Sequence, residues 1–258
     1  AAVIAGIVVS SGIPAYAAPW NIADGDITVK AGDEGTNRVT QGEKEDVEDT
    51  DTVITGESKE HTVTIDTSGG KVDVTFDDLK IDVSGKAEVD GSDDSLVDAG
   101  KAAVTVQGGH DATIELDGKN ELKSGSGNAG FEKNKQESKG TLTIKDDKGK
   151  DGSLTAEGGD DGAGIGGGIG STGSSITIRG GAVEAVGGSN AAGIGDGAGR
   201  ASGDTDDPNP GHLYICGDAE VTAKAGSQTT DAKAPAIGGK YGEVPTENLS
   251  DDEHKVTG

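Results

Sequence analysis

A chain of 258 residues with 47 acidic and 22 basic side chains carries a formal net charge of −25 at pH 7. Its lysines are interspersed with acids, so no basic patch offsets this charge, and nucleic acid and anionic membrane surfaces are excluded as partners. With 31% hydrophobic residues and 46 glycines, the composition approaches that of disordered chains. Whether the chain folds therefore depends on where its apolar residues stand.

Residues 1–17 are predicted to be a signal-peptide remnant. They contain an apolar run rich in small residues, and Ala15-Tyr16-Ala17 has the small-x-small pattern of export cleavage sites. Glycine and proline interrupt the run, which is shorter than the ~20 residues of a membrane-spanning helix. We expect a secreted, extracellular protein that begins at Ala18 and does not insert into a membrane after signal removal. A buried N-terminal cap is the alternative.

Residues 18–52 are predicted to form an N-terminal segment with an acidic loop. The acids that stand among few apolar groups there are Glu43, Glu45, Asp46, Glu48, Asp49 and Asp51. Such a charge run is typical of a solvated loop or a weakly ordered stretch. We expect this loop at residues 33–52, order from about Gly25 to Gly239, and the β-helix domain from residue 53.

Three short phrases recur in the same order and predict this main domain, residues 53–240. The first phrase has a small residue two places before a large apolar one, as in Ala129-Gly130-Phe131. The second alternates strictly, as in Thr141-Leu142-Thr143-Ile144, and the third puts Ala two places after an apolar residue, as in Leu154-Thr155-Ala156. A period of two predicts short strands with every second side chain on one face.

The spacing of the phrases predicts an all-β fold of the parallel β-helix class. Phe131 to Ile165 is 34 residues, Ile165 to Ile194 is 29, and Ile194 to Ile237 is 43. About three strands per coil, at a period of about 30 residues, is a solenoid signature in which each unit buries its apolar face against its neighbours. Equivalent aliphatics should then form internal columns, such as Leu142, Ile176 and Leu213.

Glycine-rich stretches between the phrases are interpreted as corners of the coils, where backbones approach closely. A competing interpretation comes from residues 162–167, which match the dinucleotide fingerprint G-x-G-x-x-G. That motif must open a helix, whereas here another predicted strand follows. The structural interpretation is favoured. Residues 241–258 are predicted to be a C-terminal tail that continues beyond the sequence.

The acid excess makes calcium a candidate cofactor, because this hard cation prefers several oxygen ligands together. Three groups of aspartates are candidate metal ligands: Asp90, Asp93, Asp94 and Asp98; Asp160 and Asp161; and Asp204, Asp206 and Asp207. The alternative for each group is a solvated turn in which Asp caps the backbone.

No catalytic residues are predicted. The sequence contains no H-E-x-x-H motif, nucleophile elbow, Walker motif or zinc-spaced cluster. Cys216 is the single cysteine and is expected to point outward as an incidental thiol. A polysaccharide lyase would need a strong base, and Arg179, which lies on a predicted strand and points outward, is the candidate for that role.

Several phrases carry a family resemblance. The stretches 74–81 and 113–122, and the Ala-Gly-Ile-Gly-Gly-Gly phrase at 163–168 followed by Ile176-Thr177-Ile178-Arg179, resemble the "carbohydrate-binding domain-containing" secreted proteins of Gram-positive bacteria. The resemblance covers residues 55–240. It implies a pectate-lyase-like, right-handed parallel β-helix at the cell surface that binds plant or host polysaccharide, often with Ca²⁺.

The predicted function is therefore a non-catalytic, extracellular polysaccharide-binding or adhesion protein of a bacterial surface, acting as a monomer. Tyr214 and Arg179 are the predicted ligand-binding residues. Tyr214 is the ordered aromatic expected to point outward, because Phe76 and Phe131 should face inward and Trp20 precedes the first predicted strand. The scarcity of aromatics disfavours neutral cellulose-like ligands and directs attention to acidic glycans bridged by Ca²⁺, or to polar contacts along a flat sheet face. A structural stalk without ligand and, less favoured, a polysaccharide lyase are the alternatives.

Overall fold

The computed structural model describes residues 18–85, 100–199, 212–227, 234–238 and 253–257. The predicted signal remnant, most of the predicted tail, and two predicted metal groups lie outside the described residues; those groups are Asp90, Asp93, Asp94 and Asp98, and Asp204, Asp206 and Asp207. No helix in the described part of the chain is long and apolar enough to cross a bilayer.

The described chain is all-β, with two 3-10 turns at Ile22–Asp24 and Asp33–Gly35. The strands are β1 (Trp20–Asn21), β2 (Ile27–Ala31), β3 (Asn37–Gln41), β4 (Lys44–Asp49), β5 (Val53–Ser58), β6 (Val63–Asp66), β7 (Val72–Asp82), β8 (Val104–Gln107), β9 (Ala112–Asp117), β10 (Lys119–Lys123), β11 (Phe131–Glu132), β12 (Leu142–Lys145), β13 (Ser153–Glu157), β14 (Ile165–Gly166), β15 (Ile176–Ile178), β16 (Ala182–Val186), β17 (Ile194–Gly195), β18 (Leu213–Ile215), β19 (Glu220–Lys224), β20 (Ile237–Gly238) and β21 (Glu253–Thr257).

Most strands belong to three ladders of parallel pairs. The first ladder joins the N-terminal part of β7 to β9, β12, β15 and β18. The second ladder joins the C-terminal part of β7 to β10, β13, β16 and β19. In the third ladder β2 is followed by β6, β8, β11, β14, β17 and β20. From β11 to β19, each successive set of three strands contributes one strand to each ladder.

The register confirms the predicted alignment of the phrases. Leu142 pairs with Ile176, and Ile176 pairs with Leu213. In the third ladder Phe131, Ile165, Ile194 and Ile237 follow one another in register. In the second ladder the same holds for Leu154, Val183 and Val221, and for Ala156, Ala185 and Ala223. Identical spacing within each phrase keeps equivalent side chains on the same face of adjacent strands.

The core consists of aliphatic and alanine side chains, two phenylalanines and Trp20. Phe76 and Phe131 are fully buried, as predicted, with ring centroids 6.0 Å apart. Ala156, Ala185 and Ala223 are also fully buried or nearly so. Small residues thus fill part of the interior, which explains how a chain poor in large apolar residues has a continuous core.

The glycines of the Ala-Gly-Ile-Gly phrases pack backbone against backbone. Gly166, Gly195 and Gly238 are in register and have φ of +137°, +140° and +116°. A Cβ on Gly166 would clash with the carbonyl oxygen of Gly195, and a Cβ on Gly195 with that of Gly238. The phrase at 162–167 contains strand β14 and is followed by strand β15, with no helix among the described residues between them, so the structural interpretation of these glycines is confirmed.

The N-terminal acidic stretch differs from the predicted loop, because residues 37–49 form the strands β3 and β4. β3 pairs antiparallel with both β2 and β4. Its alternate residues Asn37, Val39 and Gln41 are buried, and the Asn37 amide donates to the carbonyl oxygen of Asp73 at 2.6 Å. The acids that suggested a loop stand mostly on β4, whose first five residues are exposed. The acidic charge of this stretch therefore favoured a loop, although the buried face of β3 consists of polar and apolar residues together.

The prediction that Trp20 precedes the first strand is also wrong. Trp20 lies in β1, pairs in parallel with Ile54 of β5, and is only 7% exposed. Its indole Nε1 donates to Asp49 Oδ2 at 2.7 Å, so it ties the start of the described chain to the end of the hairpin. The partner stands 29 residues away, beyond the reach of local sequence patterns.

Candidate functional site

A groove of about 520 Å³ runs along the outer face of the first ladder. It is lined by the threonines Thr50, Thr52, Thr75, Thr113 and Thr143; the cations Lys71, Lys145, Lys148 and Arg179; the acids Asp51, Asp73, Asp111 and Glu115; and Gly35, Asn37 and Val74. Cations and acids are equal in number, so the groove lining is locally neutral in a strongly acidic protein.

The outward side chains of the first ladder form columns across the strands. One column consists of Asp73, Thr113, Thr143, Thr177 and Tyr214, which are in register on five consecutive strands. At the usual strand separation, four steps span about 19 Å. Because a parallel ladder in constant register repeats the same face, this column presents three threonine hydroxyls in a row that ends at an aromatic ring.

A second column places Thr75, Glu115 and Lys145 side by side on β7, β9 and β12. Glu115 points outward yet is only 4% exposed, because the turn after β12 covers it. Its Oε1 accepts the backbone N–H groups of Asp147 and Lys148, each at 2.7 Å. Glu115 therefore fixes the turn that carries Lys148 into the groove.

Four charged side chains form an alternating row at one side of the groove. Lys145 Nζ lies 2.9 Å from Glu115 Oε2 and 2.9 Å from Asp147 Oδ2. Arg179 Nη2 donates to the same Asp147 oxygen at 2.7 Å. The order is acid, cation, acid, cation, and each charge stabilises its neighbours.

The pKa values of this row shift as such pairing requires. The hydrogen bond from Lys145 lowers the pKa of Asp147; desolvation opposes this effect, and the charges of Lys145 and Arg179 add to it. Partial burial works to lower the pKa of Lys145, but the contacts with Asp147 and Glu115 outweigh it and raise that pKa. Both groups therefore stay charged at neutral pH.

The remaining two cations of the groove are paired as well. Lys71 Nζ lies 3.0 Å from Asp73 Oδ1, and Lys148 Nζ lies 3.5 Å from Asp51 Oδ1. Lys148 also lies 3.5 Å from the Thr75 hydroxyl, so its side chain links the turn after β12 to the opposite wall. Every cation of the groove lining thus has an acidic partner.

The structure places the two predicted ligand-binding residues on the same outer face. Arg179 directly follows β15 and lines the groove, with its side chain 47% exposed. Tyr214 is 60% exposed on the adjacent strand β18, opposite Thr177. The predicted outward orientation of both residues is confirmed. Cys216 is exposed, as predicted.

The described candidate metal group, Asp160 and Asp161, accepts hydrogen bonds from the corner that stands 29 residues further along the chain. Ser189 Oγ donates to Asp160 Oδ1 at 3.0 Å, and the Asn190 amide donates to Asp161 Oδ1 at 3.4 Å. Within the described ranges, no three His, Cys, Asp or Glu side chains cluster closely enough to hold a metal ion. Calcium binding stays a prediction.

Sequence reasoning missed the charged row and one buried cation. Glu115, Lys145 and Asp147 stand in alternating or turn segments that resemble any solvated face, and their pairing depends on contacts across about 30 residues of sequence. Lys133 is fully buried outside the groove. Its Nζ donates to Gly140 O at 2.6 Å and to Ser174 Oγ at 2.7 Å.

Desolvation lowers the pKa of Lys133 to about 8, against a weaker opposing effect of the Asp111 charge. Lys133 stands two residues after the phrase Ala129-Gly130-Phe131, and the local sequence did not predict that this lysine would be buried.

The fold and the groove together define an all-β protein of parallel ladders with a polar, charge-balanced groove on one outer face. No protein-family model, curated protein or solved structure matches this chain. A function for it rests on the geometry of the groove.

Proposed function

We propose that this protein is a secreted, non-catalytic polysaccharide-binding protein of a bacterial surface, with an adhesive role. In this proposal the ladders are the faces of a right-handed parallel β-helix, and an extended glycan lies across the strands of the first ladder. Export and surface location follow from the N-terminal pattern and the family resemblance described above.

The order of the strands supports the β-helical winding. Sets of three consecutive strands, such as β11, β12 and β13 and then β14, β15 and β16, return to the same three ladders in the same order. Connections between parallel strands are almost always right-handed, because a right-twisted strand packs back onto its sheet in that sense. A solenoid of this kind offers a long, flat outer face.

The observation that carries the proposal is the row of hydroxyls that ends at Tyr214 beside the groove that contains Arg179. An exposed aromatic ring can pack against the apolar face of a sugar while its hydroxyl meets water. Threonine hydroxyls both donate and accept hydrogen bonds, and a guanidinium offers several donors in a fixed plane. A column of about 19 Å suits a polymer better than a small molecule.

Two alternatives make different predictions. A structural stalk is favoured by the constant register of the ladders, which needs no ligand. A lyase would use Arg179 as base, but this guanidinium already donates to Asp147, and a substrate would have to displace that carboxylate. The groove is therefore better suited to holding a glycan than to removing a proton from it.

A glycan array probed with and without Ca²⁺ tests the proposal. Tyr214→Ala and Arg179→Gln should each weaken binding by about tenfold, a loss typical of an important interface side chain. Ile169→Ala, a change at another exposed apolar residue, is the matched control and should leave binding unchanged. Binding only with Ca²⁺ would support the acidic-glycan form of the proposal. An absence of binding in both conditions would favour the stalk, and release of unsaturated uronides that Arg179→Ala abolishes would establish the lyase.

A further inference from the structure

We infer that the groove selects an uncharged polysaccharide, whose hydroxyls bridge the paired charges, over a polyanionic one. This inference rests on the proposed function and names the class of glycan for that site. It departs from the calcium-bridged acidic polymer considered above, because the structure brings together charges that the sequence left scattered.

The cations of the groove are already committed to acids. Arg179 and Lys145 share Asp147 at 2.7 and 2.9 Å, Lys71 pairs with Asp73, and Lys148 with Asp51. A carboxylate ligand would have to compete with these carboxylates for each cation. Such an exchange replaces one ion pair by another and leaves a protein carboxylate beside the ligand carboxylate, which repels it. The exchange therefore adds little to the free energy of binding.

The field of the whole molecule acts in the same direction. A net charge of −25 repels a polyanion over a distance of about 10 Å at moderate ionic strength. Since the groove lining is neutral, it offers no local attraction to offset that repulsion. An uncharged polymer is not repelled by the net charge, so it needs no local attraction to offset such a repulsion.

Hydroxyl groups fit the groove without breaking its pairs. A sugar hydroxyl can donate to a carboxylate and accept from the neighbouring ammonium at the same time. Asp51 and Asp73 line the groove with exposed side chains, so their carboxylate oxygens can accept hydrogen bonds from such hydroxyls. The hydroxyls of Thr50, Thr113 and Thr143, which are exposed or half-buried, extend the same chemistry along the walls.

The test compares two probes with the same sugar backbone, polygalacturonate and fully methyl-esterified polygalacturonate, each with Ca²⁺ and with a chelator. The expected result is that the methyl ester binds at least about threefold more tightly in both conditions, with little dependence on salt. Tighter binding of polygalacturonate in either condition would overturn the inference while leaving polysaccharide binding intact. No binding of any array glycan would overturn the proposed function itself.

Asp147→Asn provides an independent test of the mechanism. It frees Arg179 and Lys145 from their shared acid while keeping the backbone N–H that Glu115 holds. Binding of polygalacturonate should increase about threefold to fivefold, the range of one exposed ion pair, and binding of the methyl ester should not increase. Asp151→Asn removes the same charge outside the groove lining and should change the binding of neither polymer. Equal increases in polygalacturonate binding for Asp147→Asn and Asp151→Asn would show that overall charge, and not pairing in the groove, sets the selectivity.

Discussion

The buried carboxylate of Glu115 accepts the backbone N–H of Lys148 at 2.7 Å, although 33 residues separate the two in sequence. Glu115 stands on β9, and Lys148 stands in the turn that follows β12, the next strand of the first ladder. Strand stacking thus places a side chain of one strand under the turn of the next. This contact holds the turn that carries Lys148 into the groove.

Removing the Glu115 carboxylate should loosen this turn. We expect Glu115→Ala to lower the free energy of unfolding by about 2 kcal/mol, because two backbone N–H groups lose a charged acceptor. Glu115→Gln retains an acceptor oxygen and should cost less. Urea unfolding measures both, and Glu57→Ala, at an exposed glutamate of β5, is the control expected near zero. Equal losses for Ala and Gln would contradict the assigned role.

Close backbone packing makes Gly195 irreplaceable. Gly195→Ala should destabilise the protein by more than about 2 kcal/mol, because its φ is +140° and the added Cβ would meet the Gly238 carbonyl oxygen. Gly109→Ala is the matched control, since that site has open space for a Cβ. Thermal unfolding of the two variants gives the comparison. Similar melting temperatures would show that the glycine column is not tightly packed.

Lys133 makes stability depend on pH in the alkaline range. Its pKa is lowered in the folded state to about 8, from an ordinary value of 10.5. Between these values the unfolded chain binds more protons than the folded one, so stability contributed by this group rises with pH, by about 3 kcal/mol in total. Below pH 8 both states are protonated and the dependence disappears.

The matched comparison is Lys133→Met, which cannot titrate. The difference in unfolding free energy, wild type minus Lys133→Met, should increase from pH 8 to 10.5 and stay constant below pH 8. A difference that does not change across this range would contradict the assignment.

Trp20 reports on the N-terminal hairpin, because it is the single tryptophan of the chain. Asp49→Ala removes the acceptor of its indole N–H and should destabilise the hairpin by about 1–2 kcal/mol, since a buried donor is left without a partner. Fluorescence should shift to longer wavelength at lower urea concentration than in the wild type. Glu45→Ala, on the exposed part of β4, should leave the transition in place, and a similar shift in that variant would count against the contact.

The local alternation of apolar and polar residues was sufficient to predict how the strands align in the ladders and that Arg179 and Tyr214 point outward. The alternation around Leu142, Ile176 and Leu213 predicted their register, and the same period predicted that Arg179 and Tyr214 point outward. The hairpin at β3 and β4 escaped prediction because polar residues, Asn37 and Gln41, occupy its buried positions. Their hydrogen-bond partners lie elsewhere in the chain, on segments that no local window includes.

A period of two in the amino-acid sequence determines which side chains face out, since it follows from the pleat of each strand alone. Which outward side chains meet is a property of the tertiary structure. Stacking brings Arg179 to Asp147 and Glu115 to Lys145, and it closes the turn that buries Glu115. These two charge pairs join segments about 30 residues apart, and only the stacking of the strands sets the distance between such segments.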